Sequence, residues 1–122
     1  MRKSVLVILL LTFLTCSYAS DKPQLFFQAT EIDVGEVPFL QDEIIVKFTY
    51  FNRTGKNVVI QKVKPSCGCT DVKYPKHPIR KREKGEITAT VRLNSSEGHF
   101  SKSILIYADG LKPTVLKIKG KK

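Results

Sequence analysis

The strict alternation of apolar and polar residues is the feature that most constrains the fold of this chain. In its clearest case, residues 86–94 (EITATVRLN), every second side chain is apolar: Ile87, Ala89, Val91 and Leu93. Successive side chains of a β-strand point to opposite faces of a sheet, so this period of two predicts a strand with one buried face. No window beyond residue 20 combines apolar residues at the helical spacing i, i+3, i+4 and i+7 with a helix cap and a stop signal, and we therefore expect an all-β domain.

Further strand-like segments occur at regular intervals, with residues typical of turns between them. They span residues 24–37, 43–52, 58–63, 100–109 and 114–120. In the second segment the predicted inward residues are Ile44, Val46, Phe48 and Tyr50. The turn at 52–57 (NRTGKN) predicts that segment 58–63 is its hairpin partner. Short strands at this spacing predict an immunoglobulin-like β-sandwich of about seven strands over residues 24–120, with a small barrel as the alternative.

The first part of the chain, residues 1–19, has the layout of a secretory signal peptide. Two cationic residues precede an apolar run at 5–14 (VLVILLLTFL), which is shorter than the roughly 20 residues of a membrane-spanning helix. A small-x-small pattern ends at Ala19 and predicts cleavage there. Lipidation at Cys16 is one alternative, although the preceding residues fit a lipobox poorly, and an uncleaved anchor is another. Each route predicts an extracytoplasmic domain, periplasmic or secreted.

A basic segment follows a pair of cysteines in the middle of the chain. Six of its residues are cationic within a stretch of twelve: Lys73, Lys76, Arg80, Lys81, Arg82 and Lys84. Pro75 and Pro78 cannot donate to a central strand, so we interpret residues 71–85 as a long connection. The segment is a candidate site for phosphate, sulfate or other anionic groups, with a solvated loop as the alternative. The whole chain has a net charge of +10, and removal of residues 1–19 leaves 19 Lys and Arg against 11 Asp and Glu, a surplus that also favours anionic partners.

Cys67 and Cys69 are separated by one glycine in the motif PSCGCT, and four interpretations of the pair stay open. Extended residues at i and i+2 lie within about 7 Å of each other, which permits a disulfide, and Gly68 relaxes the backbone. Two reduced thiols packed as small apolar residues are the second interpretation. A metal site, the third, would need His77 or His99 as further ligands or a soft ion such as Cu(I). The fourth is thiol–disulfide exchange, without the helix N-terminus that lowers the thiol pKa in C-x-x-C enzymes.

Several motifs together resemble a family of secreted bacterial proteins. They are DVGEV (33–37), FTYFNRTGKNVVIQKVKPSCGCT (48–70), KGEITATVRLNS (84–95), GHFSKSILIYAD (98–109) and LKIKG (116–120). The chain resembles the family called domain of unknown function 1573 over nearly all of residues 26–120. The resemblance implies an immunoglobulin-like sandwich, akin to domains of the major sperm protein type, and an extracytoplasmic location, but it implies no reaction. Val34 stands where the family has Phe, and Arg82-Glu83-Lys84 replaces the usual Pro-Gly, which implies a more basic loop.

No catalytic motif occurs in the sequence. The patterns of hydrolases, metalloproteases and nucleotide-binding proteins are absent, and the acidic residues are scattered. We therefore expect a non-enzymatic protein without a cofactor or a metal. Our first hypothesis is a cell-envelope module that binds a protein or glycan, and not nucleic acid, through a sheet edge or the basic segment. The second is an envelope thiol-redox or metal-handling protein that uses Cys67 and Cys69.

Overall fold

The computed structural model describes residues 24–95 and 97–122, and the predicted signal peptide (1–19), with Cys16, lies outside them. The described residues form eight β-strands: β1 (Phe26–Phe27), β2 (Glu31–Glu36), β3 (Glu43–Phe51), β4 (Ile60–Pro65), β5 (Thr70–Lys73), β6 (Lys84–Arg92), β7 (His99–Ala108) and β8 (Thr114–Lys121). Within these same ranges, no helix has the length and apolar character needed to cross a bilayer.

The strands form two four-stranded sheets around a shared core. The first sheet has the order β1-β3-β6-β5 and is antiparallel throughout. The second has the order β2-β8-β7-β4, in which β2 is parallel to β8 and the other pairs are antiparallel. The predicted all-β, immunoglobulin-like β-sandwich is therefore confirmed.

The alternation in the sequence sets which face of each strand is buried. In β6, Ile87, Ala89 and Val91 are fully buried. The predicted inward residues of β3 are buried as well: Ile44, Val46, Phe48 and Tyr50. The second sheet meets them with buried residues of β7 and β8: Ile104, Ile106, Leu116 and Ile118. Each such aliphatic side chain contributes roughly 1.5–3 kcal/mol by leaving water, so the inner faces hold the sheets together and the outer faces are available for binding.

The predicted hairpin between residues 43–52 and 58–63 is wrong. β3 pairs with β6 along its whole length, whereas β4 pairs with β7 in the other sheet. The turn at 52–57 therefore carries the chain from one sheet to the other. Turn residues such as Gly55, which has φ 77°, specify that the chain changes direction but not which strand it pairs with afterwards.

The interpretation of residues 71–85 as a connection is wrong at both ends, since β6 already begins at Lys84. Residues 70–73 form β5, an edge strand antiparallel to β6. Both prolines follow this strand, so they end it and do not prevent it. The irregular part beyond them is anchored by the fully buried Ile79, whose backbone exchanges hydrogen bonds of 2.7 and 2.9 Å with Val58.

Candidate functional site

The outer face of the first sheet carries two aromatic rings beside basic side chains. Phe26 in β1 lies opposite Phe51 in β3, and Phe51 lies opposite Lys84 in β6. The Arg53 guanidinium stacks over Phe26, with its Cζ 3.9 Å from the ring centroid, and lies 5.6 Å from the centroid of Phe51. Phe26 remains 41% exposed, so this cation–π arrangement is open to a ligand.

The segment after the prolines brings two more cations to the same place. Lys81 and Arg82 line a depression of about 530 Å³ together with Phe51 and Arg53. Arg82 has φ 61° and is the one non-glycine residue with a positive φ in the described parts of the chain, a conformation that costs roughly 1–2 kcal/mol. We define the aromatic–basic surface by six residues: Phe26, Phe51, Arg53, Lys81, Arg82 and Lys84.

Asn52 is a fully buried residue that joins the two segments carrying this surface. The two N–H groups of its side-chain amide are shared among three backbone carbonyls within hydrogen-bond distance of Nδ2, those of Lys56 (2.8 Å), Ile79 (3.1 Å) and Arg80 (3.0 Å). Its Oδ1 accepts hydrogen bonds from the backbone N–H (3.0 Å) and the hydroxyl (2.7 Å) of Thr54. One buried amide therefore fixes the turn after β3 against the segment that precedes β6.

Tyr50 supports the aromatic–basic surface from beneath. It lines, with Phe26 and Lys84, a second depression of about 370 Å³. Its hydroxyl packs so closely on Gly85 that a Cβ at that position would lie 2.3 Å from the oxygen. Burial, and to a smaller extent the Glu83 carboxylate, raises the pKa of Tyr50 above its usual value, so the phenol stays protonated at neutral pH.

The six cations that the sequence groups together are divided in the structure. Lys81, Arg82 and Lys84 belong to the aromatic–basic surface, and the other three do not line its depressions. Lys73 lies at the end of β5, and the Nζ of Lys76 lies 3.5 Å from the centroid of the Tyr74 ring. Arg80 is exposed, and its backbone N–H donates to the Glu83 carboxylate at 2.6 Å.

Four residues of this region were not singled out by the sequence patterns. The sequence could have indicated Phe51 as a surface residue for binding, because it is an aromatic residue on the outward side of an alternating strand. Phe26 and Arg53 meet only through the pairing of β1 with β3, which no local pattern specifies. Asn52 is predicted only as a turn residue, although it is fully buried.

A second candidate site is the disulfide between Cys67 and Cys69. The two Sγ atoms are bonded, the Cα atoms are 5.2 Å apart, and both side chains are partly exposed. Of the four interpretations of this pair, the structure corresponds to the first. The bond lies between β4 and β5, which are edge strands of different sheets. We call residues 66–70 the disulfide corner.

Arg92 of β6 holds the disulfide corner in place. Its guanidinium donates to the Gly68 carbonyl at 2.9 Å and to the Asp71 carboxylate at 2.7 Å. Its backbone N–H donates to the Cys69 carbonyl at 2.8 Å. The alternation predicts Arg92 only as an outward-facing residue of β6, so its role at the corner had no sequence signal.

The two histidines do not complete a metal site with the cysteines. His77 lies 3.8 Å from the carboxylate of Glu83, and His99 lies in β7 opposite Lys121 of β8. Across residues 24–95 and 97–122, no group of three or more His, Cys, Asp and Glu side chains is placed to hold a metal ion.

Comparison with known families confirms the resemblance found in the sequence. The family described as "Protein of unknown function (DUF1573)" matches residues 25–122. No curated protein matches the sequence of this chain.

Solved structures of low sequence identity share the fold. The VesB protease of Vibrio cholerae has a TM-score of 0.60 and 15% identity, over 81% of this chain and 32% of that chain. A protein of unknown function from Porphyromonas gingivalis W83 has a TM-score of 0.66 and 10% identity, over 88% of this chain and 51% of that one. The PapD-like domain 7 of human CEP192 has a TM-score of 0.62 and 9% identity, over 83% of this chain and 86% of that domain. The chain thus spans about a third of the protease and about half of the bacterial protein of unknown function.

Proposed function

Because the chain belongs to the family described as protein of unknown function (DUF1573), its role has to be inferred from its own surface, and we propose that it is a non-enzymatic module of the bacterial cell envelope that binds an acidic glycan. The binding site is the aromatic–basic surface. The observation that carries the proposal is the stacking of Arg53 on the exposed Phe26, beside Phe51 and Lys84.

The two rings suit the apolar side of a sugar. A pyranose ring has a face of C–H groups that packs against an aromatic ring, and large aromatic side chains supply much of the contact energy at binding sites. Phe51 lies opposite Phe26 on the neighbouring strand, and the Arg53 Cζ lies farther from the Phe51 ring (5.6 Å) than from the Phe26 ring (3.9 Å), so Phe51 offers the more open ring face while Phe26 remains 41% exposed beside the guanidinium. Since the sheet holds the backbone of both residues, binding needs little ordering of the main chain.

The cations suit a carboxylate or sulfate substituent of the sugar. Stacking occupies the flat face of the Arg53 guanidinium and leaves the N–H donors at its edge, which can bind a carboxylate in bidentate fashion. The six ion pairs of the described residues involve none of the four cations of the surface: Arg53, Lys81, Arg82 and Lys84. Within the described residues, none of these four cations therefore has a carboxylate oxygen within 4.0 Å.

The location of the chain remains a prediction from its first nineteen residues. A signal peptide would deliver the domain to the envelope, where acidic polysaccharides are abundant and nucleic acid is not. Residues 24–122 contain 18 Lys and Arg against 10 Asp and Glu. This positive net charge attracts an acidic polysaccharide at long range as well as by contact.

Isothermal titration calorimetry with oligogalacturonate, a glycan that carries one carboxylate on each sugar, tests the proposal. We expect saturable binding that weakens as salt rises, and no binding to neutral dextran. Arg53→Ala and Phe51→Ala should each weaken binding by at least tenfold, because the first removes the bidentate donor and the second removes the ring beneath the sugar.

The matched control is Lys62→Ala with Lys64→Ala, which removes two exposed charges from β4 in the other sheet. This change should weaken binding by less than threefold. Equal losses in both sets of variants would reduce the binding to nonspecific attraction by net charge. If the protein binds neither oligogalacturonate nor sulfated or phosphorylated oligosaccharides, the proposal that its ligand is an acidic glycan is refuted. A protein ligand would then be the alternative for this surface.

A further inference from the structure

The Cys67–Cys69 bond is unlike a disulfide that stabilises a domain. It joins residues two positions apart, so it closes almost no loop in the unfolded chain and removes little of its entropy. It also links no two strands, because both sulfurs lie in the same turn between β4 and β5. Both side chains are partly exposed, as exchange requires. We propose that this bond is an exchange site that accepts two electrons from a dithiol protein of the thioredoxin-like class.

The disulfide corner is held by contacts that do not involve the sulfur–sulfur bond. The Ser66 N–H donates to the Ser103 carbonyl at 2.8 Å, and the Ser103 N–H donates to the Ser66 hydroxyl at 3.0 Å. The Thr70 N–H donates to the Cys67 carbonyl at 3.2 Å, and Arg92 holds the next peptide. Reduction therefore leaves the turn and both sheets in place, which makes the bond reversible in the folded protein.

The two sulfurs have different surroundings, and this sets the direction of attack. The backbone N–H of Cys69 donates to the Sγ of Cys67 at 3.1 Å. A thiolate on Cys67 would receive the same hydrogen bond in a stronger, charge-assisted form. The Sγ of Cys69 has a longer contact, 3.9 Å from the hydroxyl oxygen of Thr70, so its thiolate would be stabilised less. The sulfur whose thiolate is the more stabilised is the better leaving group, so the incoming thiolate attacks Cys69.

The exchange balances in two steps. A thiolate of the partner attacks Cys69 Sγ, a mixed disulfide forms, the Cys67–Cys69 bond breaks, and its electron pair leaves on Cys67, which takes a proton from water. The second thiolate of the partner then attacks the partner's own sulfur in the mixed disulfide, and Cys69 leaves and is protonated. Two electrons and two protons have passed from the partner's thiols to Cys67 and Cys69, and the partner is left as a disulfide.

Arg92 is a positioning residue in this scheme. It contacts no sulfur, but its guanidinium holds the Gly68 carbonyl and its backbone N–H holds the Cys69 carbonyl. The first of these hydrogen bonds orients the peptide that presents the Cys69 N–H to Cys67, and the second fixes the peptide that follows it. Arg92→Gln should therefore narrow the difference in reactivity between the two sulfurs, whereas Asp71→Asn, which leaves the Gly68 contact intact, should not.

The first test is reduction of the native protein, carried out in a Cys16→Ser background so that only two thiols can appear. Dithiothreitol without denaturant, followed by alkylation and mass spectrometry, should release both thiols while the circular dichroism spectrum is unchanged. Release only after denaturation would overturn the proposal.

The second test compares the two single-cysteine variants. At pH 7 the thiol of Cys67, in Cys69→Ser, should react with iodoacetamide at least threefold faster than the thiol of Cys69, in Cys67→Ser. A thioredoxin that lacks its second cysteine should be trapped on Cys69 of the otherwise wild-type chain. Equal rates, or trapping mainly on Cys67, would overturn the assigned direction. The proposal does not depend on glycan binding, which the dextran and oligogalacturonate titrations test separately.

Discussion

Replacement of Asn52 by alanine is the change that tests most sharply how the aromatic–basic surface is held. Asn52 is fully buried, and its side chain makes five hydrogen-bond contacts, three through the two N–H groups of Nδ2 and two through Oδ1. Asn52→Ala removes all five contacts.

The size of the effect follows from where those partners lie. Each lost hydrogen bond costs about 0.5–1.5 kcal/mol, and a buried partner left unsatisfied costs more. The carbonyl of Ile79 is buried but keeps a hydrogen bond from the Val58 N–H at 2.9 Å, while Lys56 and Arg80 are exposed and their carbonyls can turn towards water. The cost therefore comes mainly from the removed hydrogen bonds themselves, and we expect a loss of about 3 kcal/mol, which for a domain of this size lowers the Tm by about 15 °C.

Thermal and urea unfolding followed by circular dichroism measure this loss. Asn57→Ala is the matched control, because the exposed Asn57 lies in the same turn and its side chain accepts one hydrogen bond, from the Lys81 N–H at 3.2 Å. The control should lose less than about 1 kcal/mol. If both variants unfold at the same temperature, Asn52 does not organise the surface and the reasoning is refuted.

For three further substitutions we predict whether the free energy of unfolding rises or falls. Gly85→Ala places a Cβ 2.3 Å from the Tyr50 oxygen and should cost about 2 kcal/mol in urea unfolding, whereas a wild-type value would mean that the ring moves freely. The hydrogen bond from Lys102, the main cause, lowers the pKa of Glu97, so this pair contributes stability above the unfolded pKa of about 4.3 and loses it as pH falls through the lower folded pKa. Lys102→Met should then cost about 1 kcal/mol at pH 7 and almost nothing at pH 2, and equal losses at both would contradict this sign. Arg82→Gly should stabilise the domain by about 0.5–1 kcal/mol because it relieves the φ of 61°, and a lower Tm would show that the side chain itself contributes more.

The sequence predicts the faces of the strands well and their partners less well. The period of two in β3 and β6 depends only on which side of each strand is buried, so Val46 and Ala89 were placed correctly. Pairing is decided by contacts distant in sequence. The turn after β3 therefore predicted a hairpin with β4, whereas β4 pairs with β7. The strand β5 was missed because four residues beside two prolines carry too short a pattern.

The candidate sites were predictable to the extent that their chemistry is local. Cys67 and Cys69 are neighbours in sequence, and a disulfide was one of four interpretations of their spacing. The sequence showed the basic segment as a run of charge but not its division, in which Lys76 lies over the Tyr74 ring while Lys81 lines the depression beside Phe51. The stacking of Arg53 had no sequence signal.

Nuclear magnetic resonance mapping of glycan contacts tests the central claim most directly. Oligogalacturonate is titrated into the ¹⁵N-labelled protein, and the backbone amide shifts are followed residue by residue. The account predicts that the largest shifts fall at Phe26, at 51–54 and at 81–84, with β4 and β7 unchanged. Shifts that are spread over both sheets, or that centre on the second sheet, would contradict it.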